Sequence, residues 1–335
     1  PFGGGKNIAG CLEPHDRAGR FVASLDMCRM HRVLEVDQRS LTARMEAGVY
    51  GPHMEEQLAE HGVTLGHFPD SFIHSTLGGW VATRSAGMQS DKYGKIEDMV
   101  IALRMVTPSG TIVTRTVPKC SNGIDIRHLC IGSEGILGVI TEVTMQVHAK
   151  PAYEEFYGWI FPSFEQGVAA IHECVRLGVL PAITRLNDPS KTALSFAFKK
   201  PQSGAKEFIG KIVKAYLGNI KRIDFENCCV MITKCEGDYD TFHSQHRESA
   251  YIFRKRGGVC LGTSPGKSFQ ETKFDFPHIR DYLMDRGVMG DVSETSTPWS
   301  NILPLYEATM DNLRGAIRDT GMDPWVGCHI SHNYH

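Results

Sequence analysis

Three glycine-rich segments in the first part of the chain limit what it can form. The chain opens with PFGGGKNIAG, continues through Pro69–Val100 with two adjacent glycines among serines and threonines, and reaches GSEGILGVITEV at Gly132–Val143. Glycine lets the backbone approach a bound molecule without a Cβ atom in the way, and its N–H groups can then point toward one anion. The Pro69–Val100 segment, with its hydroxyl side chains and bare backbone, is poor as core and as linker. Three of them in one domain predict a large ligand with phosphate, sugar and ring parts.

The first segment, taken alone, does not match two common nucleotide-binding motifs. A P-loop has G-x-x-x-x-G-K-[ST], whereas Lys6 is followed by Asn7 and lacks the upstream glycine. A dinucleotide fingerprint has G-x-G-x-x-G, and Ile8 stands where its third glycine belongs. By itself, PFGGG is therefore as consistent with a flexible terminus as with a phosphate-binding loop.

Composition excludes several classes of protein. The chain has 335 residues and a formal net charge of −2, with no block of like charge, which gives no support to a nucleic-acid partner. No apolar run reaches the roughly 18 residues of a membrane-spanning helix, and no signal-peptide pattern is visible. None of the ten cysteines forms a C-x-x-C pair. We interpret them as reduced, mostly buried thiols of a cytoplasmic protein without structural zinc.

The pattern of strands and helices changes near Pro151. Residues 1–150 are rich in short strands, and the predicted elements are strands at Arg32–Asp37, Leu41–Val49 and Gly138–His148, a hairpin over Val100–Thr114 that turns at Pro108-Ser109-Gly110, and a helix over Gly51–Gly62. Residues 151–335 alternate helices with strands, and the predicted elements are helices at Phe164–Gly178, Ala205–Gly218 and Tyr239–Gly258 and a buried strand at Cys228–Gly237. We predict an α+β protein with domains at 1–150 and 151–335. The chain starts inside a motif and stops at ISHNYH without a closing turn. We therefore expect the first domain to lack its N-terminal part and the second to lack its C-terminal part.

The three glycine-rich segments, in this order, resemble the FAD-binding domain of the vanillyl-alcohol oxidase flavoprotein family, also called the PCMH type. The resemblance implies noncovalently bound FAD and a fold with a PCMH-type domain followed by an α+β cap domain with an antiparallel sheet. Within the family, GHFPDS (Gly66–Ser71), PSFEQGVAA (Pro162–Ala170), TRLND (Thr184–Asp188) and SETSTPW (Ser293–Trp299) are similar to the alkyldihydroxyacetonephosphate synthase subfamily.

That resemblance implies an FAD contact set drawn from the three segments. The residues are Pro1, Phe2, Gly3, Gly4, Gly5, Lys6, Asn7, Asp70, Ser71, Phe72, Ile73, His74, Ser75, Thr76, Thr83, Arg84, Ser85, Ala86, Glu134, Gly135, Ile136, Leu137, Gly138, Val139 and Ile140. Lys6 and Asn7 depart from the family, which usually has Thr and Ser after the glycines. Asn7 can still donate a hydrogen bond to a phosphate, and Lys6 brings a charge that can meet one or point to water.

Three further residues are candidates for chemistry. The resemblance implies a catalytic role for His67, as a substrate contact or in proton transfer, against a plain loop histidine bonded to backbone. Arg185 is a candidate to bind a substrate phosphate or carboxylate, or else pairs structurally with Asp188. His329 occupies the place where the subfamily has an arginine thought to bind the substrate phosphate, and a neutral imidazole binds phosphate more weakly.

His329, His332 and His335 form an H-x-x-H-x-x-H pattern that invites a metal interpretation. In a strand, residues 329 and 335 share one face while 332 points to the other, so we assign no metal site.

The function implied by the resemblance is FAD-dependent exchange of the acyl chain of acyl-dihydroxyacetone phosphate for a fatty alcohol. This reaction of ether-lipid synthesis holds the substrate covalently on flavin N5 and has no net redox change. The loss of arginine at position 329 favours an alternative, an FAD-linked 2-hydroxyacid dehydrogenase of the lactate or glycolate type. A non-catalytic fragment is a third possibility. The expected partners are a small-molecule substrate, a lipid or peripheral membrane surface and a second copy in a homodimer, with no nucleic acid. A eukaryotic source would make the location peroxisomal.

Overall fold

The chain folds into two compact units, each with its own antiparallel sheet. The computed structural model describes residues 1–7, 9–14, 19, 21–197, 215–275 and 282–334. The first unit contains Pro1–Pro151 and a short segment that begins at Lys273. The second contains Ala152–Thr272 and the last part of the chain, described from Tyr282 to Tyr334. The sequence-based division places the Lys273 segment in the second domain, whereas its contacts are with the first.

The first unit is built on a five-stranded sheet. Its strands and a separate two-stranded pair are β1 (Val33–Asp37), β2 (Thr42–Glu46), β3 (Val63–Thr64), β4 (Val100–Thr107), β5 (Gly110–Val113), β6 (Val139–Gln146) and β7 (His148–Ala149). The main sheet has the order β1-β2-β6-β4-β5, and β3 pairs with β7. The predicted hairpin is confirmed, because β4 and β5 pair in antiparallel register around Pro108 and Ser109.

Short helices cover one face of this sheet. They are α1 (Gly51–Ala59), α2 (Leu77–Thr83), α3 (Ser90–Tyr93), α4 (Ile96–Met99) and α5 (Ile126–Cys130). Met45 and Val143 from the sheet pack with Leu58 and Leu77 from the helices in one fully buried core. The alternation of apolar and polar residues along β2 and β6 produces this arrangement, since every second side chain points to the helices.

The second unit has a five-stranded antiparallel sheet of its own. Its strands are β8 (Tyr153–Phe161), β9 (Ile183–Asn187), β10 (Cys229–Gly237), β11 (Val259–Gly262) and β12 (His329–Ile330), in the order β11-β8-β10-β9-β12. The accompanying helices are α6 (Phe164–Leu177), α7 (Pro189–Ala197), α8 (Tyr239–Lys255), α9 (Ser264–Thr272) and α10 (Ile302–Asp319).

The two faces of this second sheet differ. One face carries Trp159, Leu186 and Met231, which form a buried core with side chains of α6 and α8 such as Phe253. The other face is approached by α9, whose Phe269 ring lies 6.2 Å from that of Phe156. We call this second surface the polar cap face, because charged and imidazole side chains of β9, β10 and β12 lie on it.

Two of the three helices predicted for the second unit lie in the described residues, and both are confirmed. α6 ends at Gly178, whose φ of 67° is the left-handed conformation that glycine adopts easily at a helix C-terminus. α8 ends shortly before Gly257, which has a φ of 88°. The helix predicted over Ala205–Gly218 lies for the most part outside the described residues.

Candidate functional site

A cleft in the first unit collects parts of all three glycine-rich segments. Its empty volume is about 980 Å³, part of which is open to solvent. The predicted FAD contacts that line it are Pro1, Gly3, Gly4, Gly5, Lys6, Asn7, Ser71, Ser75, Thr76, Thr83, Ser85, Glu134, Gly135, Gly138 and Ile140. Segments that are far apart in the sequence therefore meet at one concave surface.

The N-terminal loop is fixed by backbone contacts. Phe2 N donates to the carbonyl of Leu25 at 2.7 Å, and Met27 N donates to that of Phe2 at 2.9 Å. A Cβ atom added at Gly4 would lie 2.7 Å from Cα of Ser75 and still closer to the His74 carbonyl oxygen. Only glycine lets the loop lie directly on this neighbouring segment. The structure thus favours a ligand-binding loop over a flexible terminus.

Lys6 and Asn7, the residues that depart from the family pattern, both line the cleft. Asn7 Oδ1 accepts a hydrogen bond from Ala9 N at 2.8 Å, so the side-chain nitrogen is the group left to donate to a ligand. Lys6 has an exposed side chain beside the backbone N–H groups of the glycine run. A positive charge at this place suits a phosphate.

The second segment is more ordered than a loop. Gly78 and Gly79 lie in α2, where a Cβ atom at Gly78 would be 2.8 Å from Cβ of Ala47. This glycine allows close packing of α2 on the residue that follows β2, so the glycine-rich Pro69–Val100 segment is helical in part. Ser75 is held from both sides, since Trp80 Nε1 donates to its Oγ at 2.7 Å and Oγ donates to the Ser71 carbonyl at 2.9 Å.

The third segment is tied to α2 by its backbone. Glu134 N donates to the carbonyl of Ala82 at 2.9 Å, and a Cβ atom at Gly135 would lie 3.3 Å from Cγ of Pro1. The carboxylate of Glu134 accepts a hydrogen bond from Cys11 Sγ at 3.2 Å, which raises the pKa of this thiol. A carboxylate accepts hydrogen bonds from hydroxyl and ring N–H groups but repels phosphate. This wall therefore suits the sugar or ring part of a ligand.

Ten predicted FAD contacts lie outside the lining of the cleft: Phe2, Asp70, Phe72, Ile73, His74, Arg84, Ala86, Ile136, Leu137 and Val139. The reasons are local. Phe72 is buried in an aromatic cluster with Trp80 and Phe274, at ring distances of 6.1 and 5.2 Å. Arg84 points to Glu97 and donates to the His128 carbonyl. The side chain of Ile136 is 85% exposed.

The predicted contact set lacks eight residues of the lining, although Gly78 and Gly79 belong to the Pro69–Val100 segment that was expected to approach the ligand: Cys11, Leu12, Met27, Ala47, Gly78, Gly79, Trp80 and Ala82. Part of the signal was present. Gly79, Ala82 and Thr83 are spaced three and four residues apart, which places them on one face of a helix. Met27 and Ala47 carry no such pattern, because only the fold brings them to the cleft.

His67 lies behind the wall of the cleft. Its side chain is 0% exposed, its ring centroid lies 5.0 Å from that of Trp80, and its Nε2 is 3.1 Å from Oγ of Ser85. Ser85 does line the cleft. The loop before it is fixed by Glu55, whose carboxylate accepts from the backbone N–H groups of Leu65 and Gly66 at 3.1 and 3.2 Å. The geometry therefore lets His67 act on a ligand through the Ser85 hydroxyl and not by direct contact.

The cleft fits FAD. Gly3 and Gly4 leave a backbone cradle that side chains would fill, and Lys6 adds a positive charge, as the pyrophosphate requires. Trp80 and Ile140 supply apolar surface, as a flavin ring requires. FAD, when bound here, would be held mainly by backbone groups and hydroxyls.

The polar cap face of the second unit holds the other predicted site residues. Arg185 and Asn187 alternate along β9 and so share this face. His329 of β12 is the register partner of Asn187, which places its side chain on the same side of the sheet. The Arg185 guanidinium also lies 5.9 Å from the centre of the Phe269 ring. The structure thus brings Arg185 and His329 together.

Lys191 of α7 completes a cluster with these two residues. Its Nζ lies 2.7 Å from Nδ1 of His329. Burial, Arg185 and Lys191 lower the pKa of His329 to about 2. A neutral imidazole that accepts a hydrogen bond at Nδ1 carries its own proton on Nε2. Sequence reasoning did not single out Lys191; its only signal was a cation shortly after the TRLND stretch.

The alternative interpretation of Arg185 is a structural pair with Asp188. The carboxylate of Asp188 has two other hydrogen-bond donors. Asp188 is fully buried, and its carboxylate accepts from Lys191 N at 2.8 Å and from the Tyr306 hydroxyl at 3.2 Å. Burial raises the pKa of this carboxyl. Asp188 thus anchors the start of α7 to α10.

A buried ion cluster on β10 was also missed. Lys234 is 6% exposed and Glu236 1% exposed, and the two side chains form an ion pair on the polar cap face. Lys234 Nζ is also 2.7 Å from the carboxylate of Glu154 on β8. The signal was the alternation in CCVMITKCEG, where two charged residues share one face of an otherwise apolar strand.

The histidine pattern at the end of the chain is not a continuous strand. β12 covers only His329 and Ile330, and His332 has a φ of 61°, so the expected alternation of faces does not hold. His335 lies outside the described residues. Within the described ranges, no group of three His, Cys, Asp or Glu side chains is arranged to hold a metal ion. Those ranges also contain no helix long and apolar enough to span a membrane. All ten cysteines are free thiols, five of them buried.

Comparison with protein families supports an FAD site in the first unit. The family model of an FAD binding domain matches residues 1–116, and the family model of FAD linked oxidases, C-terminal domain, matches residues 150–335. The chain therefore belongs to the FAD-linked oxidase family of flavoproteins, with FAD as its cofactor.

Individual relatives are synthases. The chain is 44% identical to alkyldihydroxyacetonephosphate synthase of Dictyostelium discoideum, over 100% of this chain and 54% of that protein. It is 38% identical to the synthase of Trypanosoma brucei brucei over the same shares. A solved structure of an alkyldihydroxyacetonephosphate synthase matches with a TM-score of 0.88 and 43% identity, over 100% of this chain and 60% of that one. The chain spans about half the length of the curated relatives that it matches.

Proposed function

We propose that this chain is part of an FAD-dependent enzyme that exchanges the acyl chain of acyl-dihydroxyacetone phosphate for the alkyl chain of a fatty alcohol. The observation that carries the proposal is the basic cluster of Arg185, Lys191 and His329 on the polar cap face. A phosphate monoester needs several N–H donors and positive charge, and this cluster offers both. The synthase relatives support the same substrate class.

The chain's own residues would divide the work. Gly3 and Gly4 hold the FAD pyrophosphate, and FAD supplies the electron-accepting ring that the exchange requires. Arg185 binds the substrate phosphate through its planar fork of N–H groups. His67 is then a positioning residue, which orients the Ser85 hydroxyl at the cleft through its 3.1 Å contact.

A second candidate function is oxidation of a 2-hydroxyacid. The observation that favours it is the neutral state of His329, whose pKa is lowered to about 2. Arg185 and Lys191, with a neutral imidazole where the subfamily has an arginine, also suit a carboxylate, which carries less charge than a phosphate.

One pair of assays separates the two functions. The FAD-bound protein is mixed anaerobically with lactate or glycolate, and then supplied with acyl-dihydroxyacetone phosphate and a labelled fatty alcohol. We expect formation of the labelled ether and no loss of the oxidised-flavin absorbance with either hydroxyacid. Bleaching by a hydroxyacid without ether formation would overturn the proposal.

Several finer properties belong to the same proposal. We propose noncovalent FAD, a homodimer, contact with a lipid or membrane surface, and a cytoplasmic or peroxisomal location. The two family matches support functional domains at 1–150 and 151–335. Gel filtration with light scattering tests the dimer, and release of the flavin on denaturation tests its noncovalent attachment.

A further inference from the structure

Lys191 occupies a fixed position at the start of α7. Its backbone N–H donates to the Asp188 carboxylate at 2.8 Å, and Asp188 N donates to the Cys328 carbonyl at 2.9 Å. The next residue, Thr192, accepts from Val230 N at 2.9 Å in the buried interior. These contacts fasten the helix start to both β10 and the segment before β12. The side chain of Lys191 therefore leaves the backbone at a defined place beside His329.

The contact between Lys191 and His329 fixes the state of both side chains. At 2.7 Å, the distance between Nζ and Nδ1 is that of a strong hydrogen bond. An ammonium group has only protons to offer, so Nδ1 must be the acceptor and the imidazole proton must be on Nε2. The pair then presents one positive charge and one neutral N–H donor.

Lys191 adds a positive charge to the cluster that it forms with Arg185 and His329. Arg185 lies near enough to lower the pKa of His329, and its guanidinium is always charged. Without Lys191, a neutral His329 would leave Arg185 as the one cation of the trio. With Lys191, a phosphate can meet two cations and the Nε2–H group.

We propose that Lys191 is a positioning and charge-supplying residue of a phosphate-binding subsite on the polar cap face, where it holds His329 as an Nε2–H donor. This inference rests on the proposed function for the identity of the ligand, a phosphate monoester. Lys191 acts on the ligand through its charge and on His329 through the hydrogen bond, and the two roles are separable by substitution.

The experiment measures binding of dihydroxyacetone phosphate to the FAD-bound protein by calorimetry. Lys191→Met removes the charge and the donor, whereas Lys191→Gln removes the charge but keeps an N–H donor for Nδ1. We expect both variants to bind dihydroxyacetone phosphate about 10- to 100-fold more weakly, as loss of a charged hydrogen-bonding partner does. Lys191→Arg should restore most of the affinity. Lys221→Met, at an exposed lysine of the same unit, is the matched control and should bind normally.

Nitrogen NMR of His329 measures which ring nitrogen carries the proton. This tautomer would not change if Lys191 had only a structural role. The wild-type and Lys191→Gln proteins should show the Nε2–H tautomer, and Lys191→Met should show a mixture of tautomers. Unchanged phosphate affinity in a folded Lys191→Met protein, or an Nδ1–H tautomer in the wild type, would overturn the inference.

The outcomes are distinct from those of the proposed function. Hydroxyacid oxidation without ether formation would refute the proposed function, while affinity for dihydroxyacetone phosphate that depends on Lys191 would still support the subsite. Ether formation with full phosphate affinity in Lys191→Met would support the function and refute the subsite.

Discussion

The FAD cleft and the polar cap face are built from opposite kinds of residue. The cleft is made of glycine backbone and hydroxyls, such as Gly3, Gly4 and Ser75, and a side chain at the first two positions would collide with a neighbouring segment. The cap face is made of charged and imidazole side chains on strands and a helix, such as Arg185, Lys191 and Lys234. The cofactor site therefore depends on glycines that have no side chain, whereas the cap face depends on charged side chains that pair with one another.

The largest expected effect comes from breaking a pair on the cap face. Lys234→Met leaves the buried Glu236 carboxylate without this cation, which should destabilise the protein by about 3–5 kcal/mol. Urea denaturation followed by circular dichroism measures the free energy of unfolding. The double variant Lys234→Met/Glu236→Met should recover most of the loss, because it removes both charges. Equal losses in the single and double variants would show that packing, and not charge pairing, sets the stability there.

The next largest effect is expected in the cleft, where a side chain is added at a glycine. Gly4→Val adds atoms where the His74 carbonyl and Ser75 Cα already lie, so the loop must move away from its neighbour. Overpacking of this kind costs about 1–3 kcal/mol, or roughly 10- to 100-fold in FAD affinity. Flavin absorbance of the purified protein and titration with FAD measure it. Gly290→Val is the control, because a Cβ atom there meets nothing within 4 Å. Full flavin content in Gly4→Val would exclude this loop as the pyrophosphate cradle.

The smallest effect concerns Glu55, which supports the loop in front of His67. Burial raises the pKa of this carboxyl above its ordinary 4.5. The folded state then binds the proton more tightly than the unfolded state, so stability falls as the pH rises from 4.5 through the folded pKa. Glu55→Gln does not titrate, and the wild type should lose stability relative to this variant over that window. The exposed neighbour Glu56→Gln is the control. A pH-independent difference between wild type and Glu55→Gln would contradict the burial effect.

Part of the fold was predictable from local patterns, whereas elements such as β9, α7 and β12 were not predicted. The turn at Pro108-Ser109-Gly110 and the C-terminal glycine of α6 are signals that act within a few residues, and both strands and the helix lie where they were expected. The helix α2 was not expected, because Gly78 reads as a loop residue. Its glycine is explained by the close approach of Ala47, which no local pattern contains.

The candidate site was predictable only where its residues are contiguous in sequence. PFGGGKN was identified by its glycines together with two distant segments, and most of it lines the cleft. The role of His67 as a direct contact depended on a motif, whereas its burial behind Ser85 is a property of the packed core.

The sequence by itself determined the elements with a clear local pattern, such as β2, β6, α6 and α8, and the glycine-rich segments that identify the family, since these depend on residue types at short spacing. Tertiary structure alone decided that Lys191 meets His329, separated by 138 positions in the chain, and that Lys234 and Glu236 are buried together with Glu154 within reach. The physical reason is that charge pairing and burial depend on distances through space. Those distances are set when β9, β10 and β12 align in one sheet.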